Sequence, residues 1–145
     1  MSDLIFEDET YAINGAVFEV YKTLGCGFAE EVYQDALEKE FTLRGIPFAA
    51  QPRVQISYKG QPVRDPYIPD FICYGKIILE LKAVDRFSEK HFKQVSNYLA
   101  ATGLQLALLA NFGCFPRAVV KRFVQTAPRG RVVEDVDRGD GACVR

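Results

Sequence analysis

Three observations predict an α/β domain. Residues 10–43 carry apolar positions at helical spacing in two successive stretches. Residues 67–83 form two short runs, rich in aromatic and β-branched residues, around a tight turn. Residues 88–111 couple an amphipathic stretch to a nearly continuous apolar run. A strand, then a helix, then a buried apolar run is the order of a β-α-β unit.

A length of 145 residues suits one domain with a real core. Hydrophobic residues make up 48% and charged residues 26%. No apolar run approaches the ~20 residues of a membrane span. The acidic start, Asp3, Glu7, Asp8 and Glu9, lacks a signal-peptide pattern, and the expected location is the cytoplasm. Net charge is −1, so no global field draws the protein onto nucleic acid; a nucleic-acid enzyme of this composition needs a local basic face, for which Lys76, Lys82, Arg86, Lys90 and Lys93 are the candidates. Cys26, Cys73, Cys114 and Cys143 contain no C-x-x-C pair, which argues against structural zinc and for reduced thiols.

The first helix is expected from Thr10 to Leu24, with Ile13, Val17, Val20, Tyr21 and Leu24 on one face. Gly25-Cys26-Gly27 ends it. The second runs from Glu30 to Leu43 with Val32, Tyr33, Ala36, Leu37 and Phe41 as its buried stripe; Arg44-Gly45 stops it and Pro47 prevents continuation. Val54, Ile56 and Tyr58 alternate with polar neighbours, which predicts a strand over Arg53–Tyr58, followed by a turn at Lys59-Gly60-Gln61. Pro66 and Pro69 cannot donate to a ladder, so the regular part of the next strand is placed at Tyr67–Cys73, as an edge, a bulge or a late start. Ile77–Ala83 is dense enough in apolar residues for a central strand. Ser88 is a candidate N-cap for a third helix to Ala101, with Phe92, Val95 and Leu99 facing the core. Leu104–Asn111 reads as a buried parallel strand, and Ala118–Val124 as a last strand in preference to a short helix. The domain is therefore expected over residues 1–125, with 126–145, poor in apolar residues, as a flexible tail.

The stretch Tyr67–Lys82 carries the chemistry. In a strand alternate side chains share a face, so Glu80 and Lys82 point one way and Leu79 and Leu81 the other. A three-residue loop at 74–76 pairs Cys73 with Ile77 and brings Asp70 opposite Glu80, with Cβ atoms roughly 5 Å apart. A two-residue loop shifts the register by one. Two carboxylates that close repel unless a cation neutralises them, and Mg²⁺ takes such oxygen ligands at about 2.1 Å. Lys82 beside them could orient a water or stabilise charge on a phosphate. The bland readings are an exposed Glu80–Lys82 surface pair, Asp70 as a turn residue after Pro69, and Glu30 as a carboxylate complementing a helix N-terminus.

Pro69-Asp70 with Glu80-Leu81-Lys82 resembles the PD-(D/E)xK nucleases, and Gly27-x-x-Glu30-x-x-Tyr33 resembles the hallmark of their GxxExxY family. His91-x-x-Gln94-x-x-x-Tyr98 and Asn111-Phe112-Gly113 are also similar to that family, in its order along the chain. The resemblance spans Ile5–Val124 with no substituted motif position. It implies a restriction-endonuclease-like core, a mixed four- or five-stranded sheet flanked by helices, from a family found mostly in bacteria and archaea. It further implies a metal-dependent nuclease acting on nucleic acid, DNA for preference. Asp70, Glu80, Glu30 and the backbone carbonyl of Leu81 would hold Mg²⁺, with Mn²⁺ able to substitute. Lys82 and Gln94 would join Asp70 and Glu80 in catalysis, and Tyr33, His91 and Tyr98 would support them. The alternatives are a non-catalytic module of the same fold that binds protein or nucleic acid, and a subunit that cuts only with a partner; a homodimer is open.

Overall fold

The computed structural model describes residues 4–125 and the backbone of 133–137. Helix α1 (Glu7–Leu24) and helix α2 (Glu30–Arg44) are followed by strand β1 (Phe48–Ala50) and a small hairpin of β2 (Ser57–Tyr58) and β3 (Gln61–Pro62). Then come β4 (Phe71–Cys73), β5 (Ile77–Lys82), helix α3 (Glu89–Thr102), β6 (Leu106–Asn111), β7 (Val119–Gln125) and β8 (Val133–Asp137). The main sheet has the order β1-β4-β5-β6-β7-β8. Only β5 and β6 run parallel, with α3 as their crossover; every other pair in the sheet is antiparallel. The sheet is thus mixed, as expected, and β5 and β6 are its central strands.

Period-two alternation explains the layers. On one face Ile77, Leu79, Leu81, Leu106, Leu108 and Ala110 pack under the α1 and α2 stripes, including Ile13, Val17, Leu37 and Phe41. On the other, Ile78, Ala107, Leu109 and Phe123 meet Val95, Tyr98 and Leu99 of α3. Each face of β5 is covered, which is why it reads as continuously apolar.

Several expectations need correction. Arg53–Tyr58 is not a strand: only Ser57 and Tyr58 pair, with β3, while Val54 makes a single bridge to Tyr67. The alternation there registers half-burial without a continuous partner. The edge of the sheet is instead taken by Phe48–Ala50, too short for a period to be visible, and held because Phe48 packs between Phe41 and Phe71. Regular pairing after Pro69 begins only at Phe71, the late start that two prolines impose. Val32 is exposed; Tyr33, Gln34, Leu37 and Phe41 form the buried face of α2. The expected flexible tail falls largely outside the described residues, but Val133–Asp137 within it pairs with β7 as a sixth strand. Cys26 and Cys73 are free thiols as expected, whereas Cys114 is engaged in a disulfide.

Candidate active site

The site is built on the β4–β5 hairpin. Tyr74 (φ 57°) and Gly75 (φ 69°) both adopt the left-handed conformation a tight turn requires, and Lys76 N–H closes it on the Cys73 carbonyl at 3.1 Å. The loop therefore has three residues, and Cys73 faces Ile77, Ile72 faces Ile78 and Phe71 faces Leu79. One further step brings Asp70 opposite Glu80. There the carboxylates replace ladder bonds: Asp70 N–H donates to Glu80 Oε1 at 3.0 Å, and Leu81 N–H donates to Asp70 Oδ2 at 2.7 Å. Each carboxylate thus commits one oxygen to the backbone of the facing strand.

Glu80 is only 4% exposed. Burial, and then the Asp70 charge, push its carboxyl well above the ordinary carboxylate range, against the backbone hydrogen bond from Asp70 and the Lys82 ammonium. Asp70 is also raised, by burial first, with Leu81 N–H and Lys82 pulling it down. Lys82 Nζ stands 3.8 Å from Glu80 Oε2, with both side chains largely buried. The reading of Glu80 and Lys82 as an exposed surface pair is therefore excluded.

Glu30, at the first turn of α2, lines a cleft of about 340 Å³ together with Asp70 and Leu81. Partial desolvation raises its carboxyl, opposed by Lys82, increased by Asp70 and Glu31, and opposed by a backbone hydrogen bond from Ala83. The residue itself is exposed at the rim, so this shift reflects the cleft it faces more than deep burial. Asp70 and Glu80 form the close pair; no group of three His, Cys, Asp or Glu side chains among the described residues is set to hold a metal ion by itself. Asp70 and Glu80 suit a divalent cation in another respect: two hard oxygen donors, desolvated and mutually repelling, are what such an ion neutralises.

Tyr33 is a latch. Fully buried and stacked on Phe112 at 4.4 Å, it donates its hydroxyl to the Gly25 carbonyl (2.5 Å) and accepts from Phe28 N–H (3.3 Å). It thereby fixes the loop that launches α2 and sets where Glu30 stands. On α3, His91 Nδ1 accepts from Ser88 N–H at 3.1 Å, so the ring caps the helix. Desolvation, then Lys82 and Lys90, lower its pKa. Gln94 Nε2 donates to the Tyr98 hydroxyl (3.3 Å), which donates to the Ile68 carbonyl (3.4 Å). Burial raises the Tyr98 phenol above its usual range, and Glu80 and Asp70 add to this, so it remains protonated.

Two further residues support the site: Gln34, which went unread in the sequence, and Asn111, which is legible there only as part of a family-like turn. Gln34 Nε2 reaches the Asp70 carbonyl at 3.4 Å; a polar residue in the buried stripe of α2 was its only signal. Asn111, fully buried at the end of β6, clamps the chain leaving β5: Oδ1 accepts from Val84 N–H (3.0 Å) and Gly113 N–H (2.9 Å), and Nδ2 donates to the Val84 carbonyl (2.8 Å). Gly113 is needed for that approach, since a Cβ there would lie 2.5 Å from Val84 backbone atoms. Lys76 leaves the proposed basic face: it lies at the far end of the hairpin, pairs with Glu9 at 3.1 Å and covers the Phe6 ring. A cavity of about 1040 Å³ between α1 and the start of β7 is lined by none of the carboxylates described above.

A mixed sheet that presents a buried glutamate, a half-buried aspartate and a lysine on adjoining strands, with helices on both faces, defines a nuclease-type α/β fold. A model of the PD-(D/E)XK nuclease superfamily matches residues 7–123, and the chain belongs to that superfamily. Its members are usually nucleases and typically use divalent metal ions, which points to interaction with nucleic acid. Neither the curated proteins nor the solved structures contain a significant match. No helix among the described residues is long and apolar enough to cross a membrane.

Proposed function

We propose that the protein is a metal-dependent nuclease that hydrolyses phosphodiester bonds in DNA, and that it belongs to the GxxExxY branch of its superfamily. The observation that carries this reading is the buried Glu80 facing the half-buried Asp70, with Lys82 3.8 Å from Glu80. Two desolvated carboxylates beside a single ammonium leave negative charge uncompensated, which is unfavourable, and a purely structural hairpin has no use for them.

Asp70, Glu80 and the Leu81 carbonyl would hold Mg²⁺ or Mn²⁺, with Glu30 completing the set from the α2 side. The bound ion would supply acidification of water at neutral pH and neutralisation of charge on the phosphate. The Lys82 ammonium orients the attacking water and shares the charge that develops on the phosphate oxygens. Gln94 holds water or phosphate, its amide aligned by Tyr98. Tyr98, kept protonated, donates to Ile68 next to Pro69-Asp70 and steadies that segment. Tyr33 and His91 act at one remove, by fixing the Glu30 loop and the start of α3.

Calorimetric titration of Mg²⁺ and Mn²⁺ into the protein, beside Asp70→Ala and Glu80→Ala, is the test. Binding by the wild type that both variants lose supports the reading, and loss of cleavage in Lys82→Ala would then separate chemistry from metal binding. Among the described residues no group of three His, Cys, Asp or Glu side chains is preset for a metal, which favours a second reading, in which the site completes itself only with substrate or a partner. That reading predicts metal binding only when a nucleic acid or the partner is present.

A further inference from the structure

Between β1 and β4 the chain leaves the sheet, from Gln51 to Pro66, and returns directly to the site. Its base is tied to the segment that carries Asp70: Gln51 N–H donates to the Asp70 carbonyl at 2.8 Å, and Val54 and Tyr67 exchange reciprocal bonds at 2.8 and 2.9 Å. The Tyr67 ring in turn meets Tyr98 edge-on at 5.7 Å, and Tyr98 holds Gln94. The arm ends in the two-residue strands β2 and β3, turned by Lys59 (φ 51°) and Gly60 (φ 82°).

No side chain of residues 51–66 belongs to either core cluster. At the tip Tyr58 is 64% exposed, with Lys59 Nζ 5.4 Å from its ring centre. The arm carries Arg53, Lys59 and Arg64 against a single acidic residue, Asp65 at its base, a net charge of +2. The opposite bank of the cleft, on α2, carries Glu30, Glu31, Asp35 and Glu38. A polyanion approaching the carboxylates is repelled on the α2 side and attracted on the arm side. An exposed aromatic ring beside a cation, on an arm of net positive charge, is an arrangement that can stack an unpaired base and hold its flanking phosphates.

We propose that the Gln51–Pro66 arm is a nucleic-acid-binding finger that stacks an unpaired base on Tyr58 and grips the adjoining phosphates with Arg53, Lys59 and Arg64. The substrate is then single-stranded, or locally unpaired, nucleic acid led across the arm toward Asp70. This deepens the nuclease reading and rests on it for the direction of travel, whereas binding by the arm stands without it.

Two measurements on the full chain separate the two. The first is fluorescence anisotropy of a labelled single-stranded oligonucleotide and of its duplex, with Ca²⁺ present, for the wild type, Tyr58→Ala, Tyr58→Phe and the triple Arg53→Ala/Lys59→Ala/Arg64→Ala variant. The second is hydrolysis of bis(p-nitrophenyl) phosphate with Mn²⁺, a diester too small to engage the arm. The expected result is tighter binding of the single strand, a loss of about tenfold in Tyr58→Ala and little in Tyr58→Phe. The triple variant should show a shallower dependence of affinity on salt. Turnover of the small diester should be unchanged in all variants. Equal single-strand affinity in wild type and Tyr58→Ala, or no affinity in the wild type, would overturn the finger. Small-diester turnover in that case leaves the nuclease reading standing. Tyr58-dependent binding without any turnover supports the finger and counts against the nuclease reading.

Discussion

The β4–β5 hairpin and the Gln51–Pro66 arm are neighbours held by opposite means. Ile77, Ile78, Leu79 and Glu80 are all buried, and a register slip would turn the apolar set of one face into the other. Side-chain packing therefore dictates where Asp70, Glu80 and Lys82 stand. The arm contributes no residue to either core cluster, and backbone hydrogen bonds tie its base to the Asp70 segment. Groups that must meet within a few ångströms lie on the packed element, and groups that can meet a partner of variable shape lie on the exposed one.

Substitutions should separate the two regions. Leu79→Ala removes a fully buried side chain from the hairpin and should cost about 2–5 kcal/mol, read as a large fall in urea midpoint. Asn111→Ala strips partners from Val84 and Gly113 where the chain leaves β5, and should cost about 2–3 kcal/mol. It should also reduce metal affinity, because Lys82 and Ala83 lose their anchor; unchanged affinity would break the link between the clamp and the site.

The carboxylate pair should show in the pH dependence of stability. Glu80 and Asp70 both have folded-state values above their ordinary ones, so the folded state binds more protons than the unfolded state between the two values. Stability from this pair is fullest below the ordinary carboxylate range and falls as pH rises through the raised folded values. Without metal, the melting temperature should drop by a few degrees from mildly acidic to mildly alkaline pH. Glu80→Gln should flatten that slope, and so should millimolar Mg²⁺ if the pair binds it. A slope indifferent to both would remove the pair as its source.

Tyr33→Phe keeps the stack on Phe112 and loses the bonds to Gly25 and Phe28, at a cost of about 1 kcal/mol. Hydrogen exchange should report looser amides at the start of α2. Tyr58→Ala should change stability by no more than about 0.5 kcal/mol, since its ring packs against no core residue. A larger loss by thermal melt would mean the arm is part of the core's support.

The Asp70–Glu80 encounter was legible in the sequence as the register that period two and a three-residue loop give; a two-residue loop was open as well, and the structure has the three-residue one. The helices were legible because each buries one face long enough to display its period, and β5 and β6 because both their faces are buried, which makes them continuous apolar runs. Phe48–Ala50 was not, because one aromatic between a proline and two alanines has no period; it is a strand because Phe41 and Phe71 receive it. Arg53–Tyr58 failed the other way, since alternation tells which residues are half-buried and not whether a partner runs beside them.

Local pattern determined the α/β class, the two covered faces of β5 and the order Glu30, Asp70, Glu80, Lys82, Gln94 along the chain. These follow from spacing, which the chain carries with it. The tertiary structure decided what spacing cannot encode: that Glu80 is buried to 4% exposure, that Tyr33 and Asn111 are clamps, and that the arm from Gln51 to Pro66 stands clear beside Asp70. Burial and long-range hydrogen bonds exist only once segments far apart in sequence are packed together, and they set the charge state and the reach of every group in the site.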